Sequence, residues 1–112
     1  MALSKPLELA NGKYWPARKF AHAHFKEMLS RHHDGQRVAD PQDHSDLSAL
    51  LQRYDQARKA GAPSKVGVGI EYFSREKNHG DGWSTSGFHV HRTDGSSVDF
   101  SYVDAVMEDV KL

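Results

Sequence analysis

The stretch Phe88–Tyr102, FHVHRTDGSSVDFSY, constrains this chain more than any other segment. Phe88 and Val90 alternate with His89 and His91, and Val98 and Phe100 alternate with Asp99 and Ser101. Each run therefore has one apolar side if it is extended. Between them lies Thr93-Asp94-Gly95. A two-residue Asp94-Gly95 turn would set Val90 opposite Asp99 and mix the faces. A three-residue loop pairs Val90 with Val98 and Phe88 with Phe100, which keeps all four on one face. It also gives Gly95 the left-handed position that closes such a loop with a bulge. A slip of one residue would turn every side chain over. The sequence thus predicts a hairpin with a three-residue loop, one face of which the rest of the chain covers.

The same register places His89, His91 and Asp99 together on the opposite face. Two imidazoles at i and i+2 with a carboxylate on the next strand form the one constellation with metal-ligand chemistry. No fourth ligand is evident, and plain alternation of a solvated strand face accounts for the pattern. No metal and no other cofactor is expected.

A chain of 112 residues with 38% hydrophobic and 27% charged residues fits a single globular domain, 1–112, with one modest core. There is no cysteine, so disulfides, thiolate zinc sites and cysteine nucleophiles are excluded. No apolar run approaches the roughly 20 residues of a membrane span. The opening MALSKPLELANG lacks a long apolar segment, so no signal peptide is expected. The default is a cytoplasmic protein with no membrane partner. Net charge is zero, but residues 1–37 hold seven Lys or Arg against three Asp or Glu, and residues 61–112 hold five against eight. That asymmetry offers a local phosphate-binding surface at the basic end. Ordinary surface charge explains it equally well.

Taken in order, LELANGKYW (residues 7–15) reads as a small hairpin around Asn11-Gly12, with Leu7, Leu9 and Trp15 buried and Lys13 exposed. Pro16 suits a first helical position, and a helix follows to about Ser30. Its apolar face is Ala17, Phe20, Ala21, His24, Phe25 and Met28, leaving Arg18, Lys19, His22 and Lys26 as a basic outer face. His32 and His33 sit where this helix ends, and their simplest role is contact with its C-terminus. A polar loop runs from Asp34 to Gln42. Asp43 reads as the N-cap of a second helix to about Ala60, with Leu47, Leu50, Leu51, Tyr54 and Ala57 as its core stripe and Gly61 and Pro63 as terminators. Lys65 opens a strand in which Val66, Val68, Ile70 and Tyr72 share one face. Gly67 and Gly69 then mark a close approach by backbone or ligand. Ser74–Gly87 reads as a long irregular stretch. Within it, Trp83 either stacks on a base or folds back over the core. A short closing helix carries Val103, Val106, Met107 and Val110. This order predicts an α+β fold, an antiparallel sheet with two main helices packed on one face and a short C-terminal helix.

Two segments carry a family resemblance. Lys65-Val66-Gly67-x-Gly69-Ile70-Glu71-Tyr72, with Arg92-x-Asp94-Gly95-x-x-x-Asp99-Phe100-Ser101-Tyr102, resembles the DCL-like (defective chloroplasts and leaves) domain, a domain of unknown function. Upstream, Ala21-x-x-His24-Phe25-x-x-x-Leu29 and Asp43-x-x-x-Leu47-x-x-Leu50-Leu51-x-Arg53-Tyr54 fit the same pattern, so the resemblance spans roughly residues 11–106. The chain has Asp55-Gln56 where plant members carry His-Pro, and His89 and His91 where they carry apolar residues. Its stand-alone length is more similar to bacterial members. Plant relatives are implicated in chloroplast ribosomal RNA maturation, and a similar domain ends the largest subunits of silencing RNA polymerases. The resemblance therefore implies RNA metabolism without implying a catalytic mechanism.

These readings lead to a non-enzymatic nucleic-acid-associated module for structured RNA, with no catalytic set. Lys19, Lys26, Arg31, Lys65 and Arg92 are its expected phosphate contacts and Trp83 its stacking group. The family-motif residues are Gly67, Gly69, Asp94, Gly95, Asp99, Phe100, Ser101 and Tyr102. A protein-docking module is the alternative, favoured by zero net charge. A metal-dependent hydrolase or nuclease at His89, His91 and Asp99 is the third reading.

Overall fold

The computed structural model describes residues 4–57 and 64–107. Its elements are β1 (Leu7–Glu8), β2 (Tyr14–Trp15), α1 (Arg18–Ser30), α2 (Pro41–Ala57), β3 (Ile70–Gly80), β4 (Trp83–Arg92), β5 (Ser97–Phe100) and α3 (Tyr102–Met107). β1 and β2 pair as a small antiparallel ribbon, and β3-β4-β5 form a separate three-stranded antiparallel sheet. This is the expected α+β class. No helix among the described residues is long and apolar enough to cross a membrane.

The β4–β5 register is the one its alternation requires. Phe88 faces Phe100, and Val90 faces Val98. The loop Thr93-Asp94-Gly95 is closed by Arg92 N–H donating to Ser96 O and by Gly95 at φ +86°. Asp94 Oδ1 accepts from both Ser96 N–H and Ser96 Oγ, which holds its carboxyl below the usual carboxylate range. Phe73, Phe88, Val90 and Phe100 are buried on the inner face with Phe25, Met28, Leu47, Leu50 and Leu51 from the helices. Burying each of these large side chains contributes about 1.5–3 kcal/mol.

The structure corrects the reading at several places. β3 begins at Ile70, not Lys65. Gly67 and Gly69 have φ of +58° and +134°, and Gly69 N–H closes a turn onto Val66 O. Val68 therefore points to solvent, 69% exposed. A bulge between Ile70 and Tyr72 then sends Phe73 into the core and Tyr72 to the other face. Ser74–Gly87 is not a loop. β3 runs on to Gly80, the turn Asp81-Gly82 reverses the chain with Gly82 at φ +74°, and β4 pairs back along the whole length.

Both helices start elsewhere than expected. α1 is capped at Ala17, whose extended φ of −148° continues from β2, so Pro16 lies outside the helix. Its buried stripe is Arg18, Ala21, Phe25 and Met28, while Phe20 is 48% exposed. Arg18 belongs to the interior because its Nη1 donates to Met107 O at the end of α3. α2 starts at Pro41, with Asp40 as the cap accepting from Gln42 N–H at 2.8 Å. Asp43 is instead the third residue of the helix, buried, and paired to Arg31. The expected terminators Gly61 and Pro63, and Val110 of the closing helix, lie outside the described residues.

Between α1 and α2 the polar loop does more than connect. Gly35 N–H donates to Arg75 O, Arg75 N–H to Gln36 O, and Val38 N–H to Phe73 O. Residues 35–38 therefore cover the first half of the β3 edge. Arg75 adds to this by donating to Leu29 O, His32 O and Asp34 Oδ1, which satisfies carbonyls left open at the end of α1. His32 Nδ1 donates to Met28 O in the same turn, the contact expected for it.

Candidate nucleic-acid interface

Strand alternation sorts the sheet into two faces. The outer face, away from the helices, carries Tyr72, Ser74, Glu76, Asn78 and Gly80 from β3. It also carries Trp83, Thr85, Gly87, His89 and His91 from β4, and Ser97 and Asp99 from β5. Trp83 and His91 are eight residues apart, so the face is about 26 Å long.

At one end three rings and planes form a stack across the strands. His91 lies on Tyr72 with ring centroids 4.1 Å apart and an interplanar angle of 7°. Arg37 reaches over the same ring from the segment beyond β3, its guanidinium carbon 4.2 Å from the centroid. Behind the stack runs a relay of hydrogen bonds. Ser74 Oγ donates its proton to Glu76 Oε2 at 2.6 Å, so the same oxygen accepts from His91 Nε2–H at 2.7 Å. That fixes a proton on Nε2 and leaves Nδ1 with the lone pair in the neutral ring. His89 Nε2 meets Asn78 Oδ1 at 2.9 Å. Burial holds His89 below the ordinary imidazole value, with Asp99 and Glu76 pulling weakly the other way.

At the other end stands Trp83, 55% exposed. It neither folds back over the core nor sits in a loop. It is paired with Gly80 across the hairpin, and a Cβ at Gly80 would overlap the indole, so the ring rests on bare backbone. A flat aromatic surface held this way needs no ordering before a base stacks on it.

The structure divides the expected phosphate contacts. Lys19 and Lys26 are exposed on α1, which packs against the inner face of the sheet. Arg31 is engaged by Glu27 at 2.9 Å and by Asp43 at 3.1 Å, and those hydrogen bonds raise its pKa. Arg92 is a brace, donating to Lys65 O, Ser64 O and Ser96 Oγ. Lys65 Nζ donates to Asp99 O at 2.8 Å. Only Trp83 of that set lies on the outer face. The close approach expected at Gly67 is real but internal: a Cβ there would fall 2.8 Å from Arg92 Nε. At Gly69 a Cβ would meet Thr93 Oγ1 at 3.5 Å.

The remaining motif residues also divide. Asp94 and Gly95 form the turn, Phe100 is core, and Ser101 caps α3, its Oγ accepting from Asp104 N–H. Tyr102 packs on His22 and Phe88, and burial raises its pKa. His89, His91 and Asp99 do share a face, but among the described residues no three His, Asp or Glu side chains form a group able to hold a metal. Both Nε2 atoms already have partners, Asn78 and Ser74. Arg37 is missed by sequence reasoning because nothing local shows that residues 35–38 bond to the β3 edge, and Ser74, Glu76 and Asn78 are missed because their strand is expected to give way to a loop at Ser74. The signal that could have found them is Asp81-Gly82, a two-residue hairpin turn.

A family model described as "Protein of unknown function (DUF3223)" matches residues 26–106. A solution NMR structure of an uncharacterized protein from Rhodospirillum rubrum is 33% identical, with a TM-score of 0.73, over 96% of this chain and 93% of that one. No curated protein matches. With the family model covering more than half of its length, this chain belongs to DUF3223, a family of proteins of unknown function.

Proposed function

We propose that the chain is a non-enzymatic RNA-associated module that takes unpaired bases of a structured RNA on the outer face of its sheet. The observation that carries this reading is the alignment of Trp83, His89, His91 and Tyr72 on one open antiparallel surface. Sequence-specific RNA recognition works mainly on single-stranded loops and bulges, whose bases stack on aromatic side chains and expose their edges to polar groups. Asn78 and the lone pair of His91 are such groups. The resemblance to the DCL-like domain, with its plant members in RNA metabolism, supports the same reading. Zero net charge fits a surface that works by stacking more than by phosphate neutralisation.

The test is fluorescence anisotropy with a labelled RNA hairpin carrying a large loop, a fully paired RNA and a duplex DNA, each at two salt concentrations. The loop RNA should bind best. With Arg37 and Lys65 at the margins of the face, the slope of log K against log salt should be shallow, no steeper than about −1.4. Trp83→Ala should weaken binding by about 1–3 kcal/mol. Replacing Lys19 and Lys26 together should change affinity by less than about twofold, because α1 lies on the other side. Equal binding to paired and unpaired RNA, or a loss on removing the lysines but not Trp83, would refute the sheet-face reading.

A further inference from the structure

β5 fills only half of the lane beside β4. It pairs from His91 back to Phe88, opposite Ser97 through Phe100. Ser101 then turns the chain into α3. β4 continues through Trp83–Gly87 with β3 on one side and, among the described residues, no strand on the other. The direction of its main-chain groups follows from the ladder. Arg92 N–H donates to Ser96 O, so Arg92, Val90 and Phe88 aim their backbone groups at β5. The same alternation aims the N–H and C=O of Ser86 and Ser84 into the vacant lane.

A cleft of about 370 Å³ lies along this edge. Leu29, Tyr102 and Val103 border it on the helical side, and Thr85, Gly87 and Asp99 on the outer side. Val103 is 38% exposed, and Asp99 is exposed at the rim. We propose that this cleft takes an extended peptide segment of a partner protein, which adds to β4 as a strand in the lane that β5 leaves. The pleat decides the chemistry of the segment. Side chains turned inward meet Leu29, Tyr102 and Val103 and are apolar. Side chains turned outward pass over Gly87, which offers no steric bulk, and meet the Asp99 carboxylate, so they include a Lys or Arg. A nucleic acid strand fits this cleft poorly, because Asp99 and the free carbonyls of Ser84 and Ser86 repel phosphate. The site adjoins the outer-face platform, with which it shares Asn78, Thr85, Gly87 and Asp99, and the variants that test it lie on the edge and on α3.

The experiment is selection of displayed random peptides on the immobilised full-length chain, followed by hydrogen exchange and anisotropy with one synthesised winner. The expected result is enrichment of sequences alternating apolar with Lys or Arg. The amides of Ser84 and Ser86 should become protected at least about tenfold on binding. Ser84→Pro removes a free donor at an edge position that tolerates proline, and should weaken the peptide at least about tenfold. Val103→Glu should do the same from the other wall of the cleft, so the proposal does not depend on one variant folding. Failure to enrich any such pattern would overturn it. So would protection confined to other amides, or affinity unchanged in both variants. Sedimentation of the free chain as a dimer that Ser84→Pro dissociates would also overturn it, because the lane would then be filled by a second copy.

Discussion

Asp46 is the most deeply buried charged residue among the described residues. Its side chain is fully buried on α2. Oδ1 accepts from Asn11 Nδ2 and Gln42 Nε2, each at 2.9 Å, and Oδ2 accepts from His24 Nε2 at 2.9 Å with Lys13 Nζ at 3.7 Å. One carboxylate thereby ties the β1–β2 ribbon and α1 to α2. Asp46→Ala strips the partner from three donors at once. Three hydrogen bonds to a charged group sum to roughly 4.5–9 kcal/mol. That is an upper bound, since Asn11 is exposed and Lys13 half-exposed, and both recover water. Discounted for those two partners, the hydrogen bonds leave about 3–5 kcal/mol as the expected loss. Against a total stability of about 5–15 kcal/mol it is severe. At roughly 4 °C per kcal/mol the midpoint falls by about 12–20 °C. Asp46→Asn separates geometry from charge. Its amide oxygen still accepts from Asn11 and Gln42, and its NH₂ faces His24, which must move its proton to Nδ1. That variant should lose only about 1–2 kcal/mol. Urea unfolding followed by tryptophan fluorescence suits the measurement, because Trp15 lies 5.3 Å from the His24 ring. A loss below about 1 kcal/mol for the alanine variant would refute the reasoning. An asparagine variant as unstable as the alanine variant would show that the hydrogen-bond geometry is not what matters.

Three further outcomes follow from the geometry. Gly67→Ala combines a left-handed φ with a Cβ 2.8 Å from Arg92 Nε, so it should destabilise by about 1–3 kcal/mol in the same urea assay. Arg92→Lys loses the forked contacts to Ser64 O, Lys65 O and Ser96 Oγ; it should lower stability by about 1–3 kcal/mol and leave the salt slope of RNA binding unchanged, because the side chain is a brace. The depressed pKa of His89 predicts a pH effect. The unfolded state binds the proton more readily, so stability is full above the ordinary imidazole value of about 6.5 and falls as pH drops through it. Unfolding at pH 7.5 and 5.5 should show a larger loss for the parent than for His89→Gln, and equal losses would count against burial as the cause.

The sheet was legible where apolar alternation and turn chemistry agreed. Phe88, Val90, Val98 and Phe100 with Asp94-Gly95 leave a single sensible register, and α2 follows from the spacing of Leu47, Leu50 and Leu51 in the same way. The β3–β4 turn uses Asp81-Gly82, an equally good signal, but its flanks from Lys77 to Ser86 are polar and show no apolar period. Two strands whose far ends project past the core carry little of that period, because no core selects for it. The β3 start was misread for a different reason. Val66, Val68 and Ile70 do alternate, but Gly67 and Gly69 turn the backbone so that Arg92, 25 residues from Gly67, can pass close to it. That is a non-local fact. The same holds for the arginines. Nothing local distinguishes Arg31 and Arg92, spent on internal partners, from the exposed Lys19 and Lys26.

The motif that carries the DCL-like resemblance divides along the same line. Gly67 and Gly95 serve backbone geometry, Asp94 and Ser101 close a turn and cap a helix, and Phe100 fills the core. A residue that closes a turn would be required whatever the protein binds, so these positions argue for fold and are silent on function. Tyr72 and Asp99 are different. Tyr72 spends its ring on a stack with His91 and Arg37 at the outer face, away from Phe73 and the core. Asp99 is exposed, opposite His89 in the ladder and at the rim of the cleft beside β4. Neither is needed to build the hairpin, since any strand-forming residue would serve at those positions. Asp99 is also the one motif side chain that borders both the outer face and the cleft. Asp99→Asn should therefore affect both ligands in opposite senses. Removing the charge weakens a basic peptide in the cleft and eases the approach of an RNA phosphate to the outer face. If the variant weakens both or neither, the two surfaces do not meet at this residue.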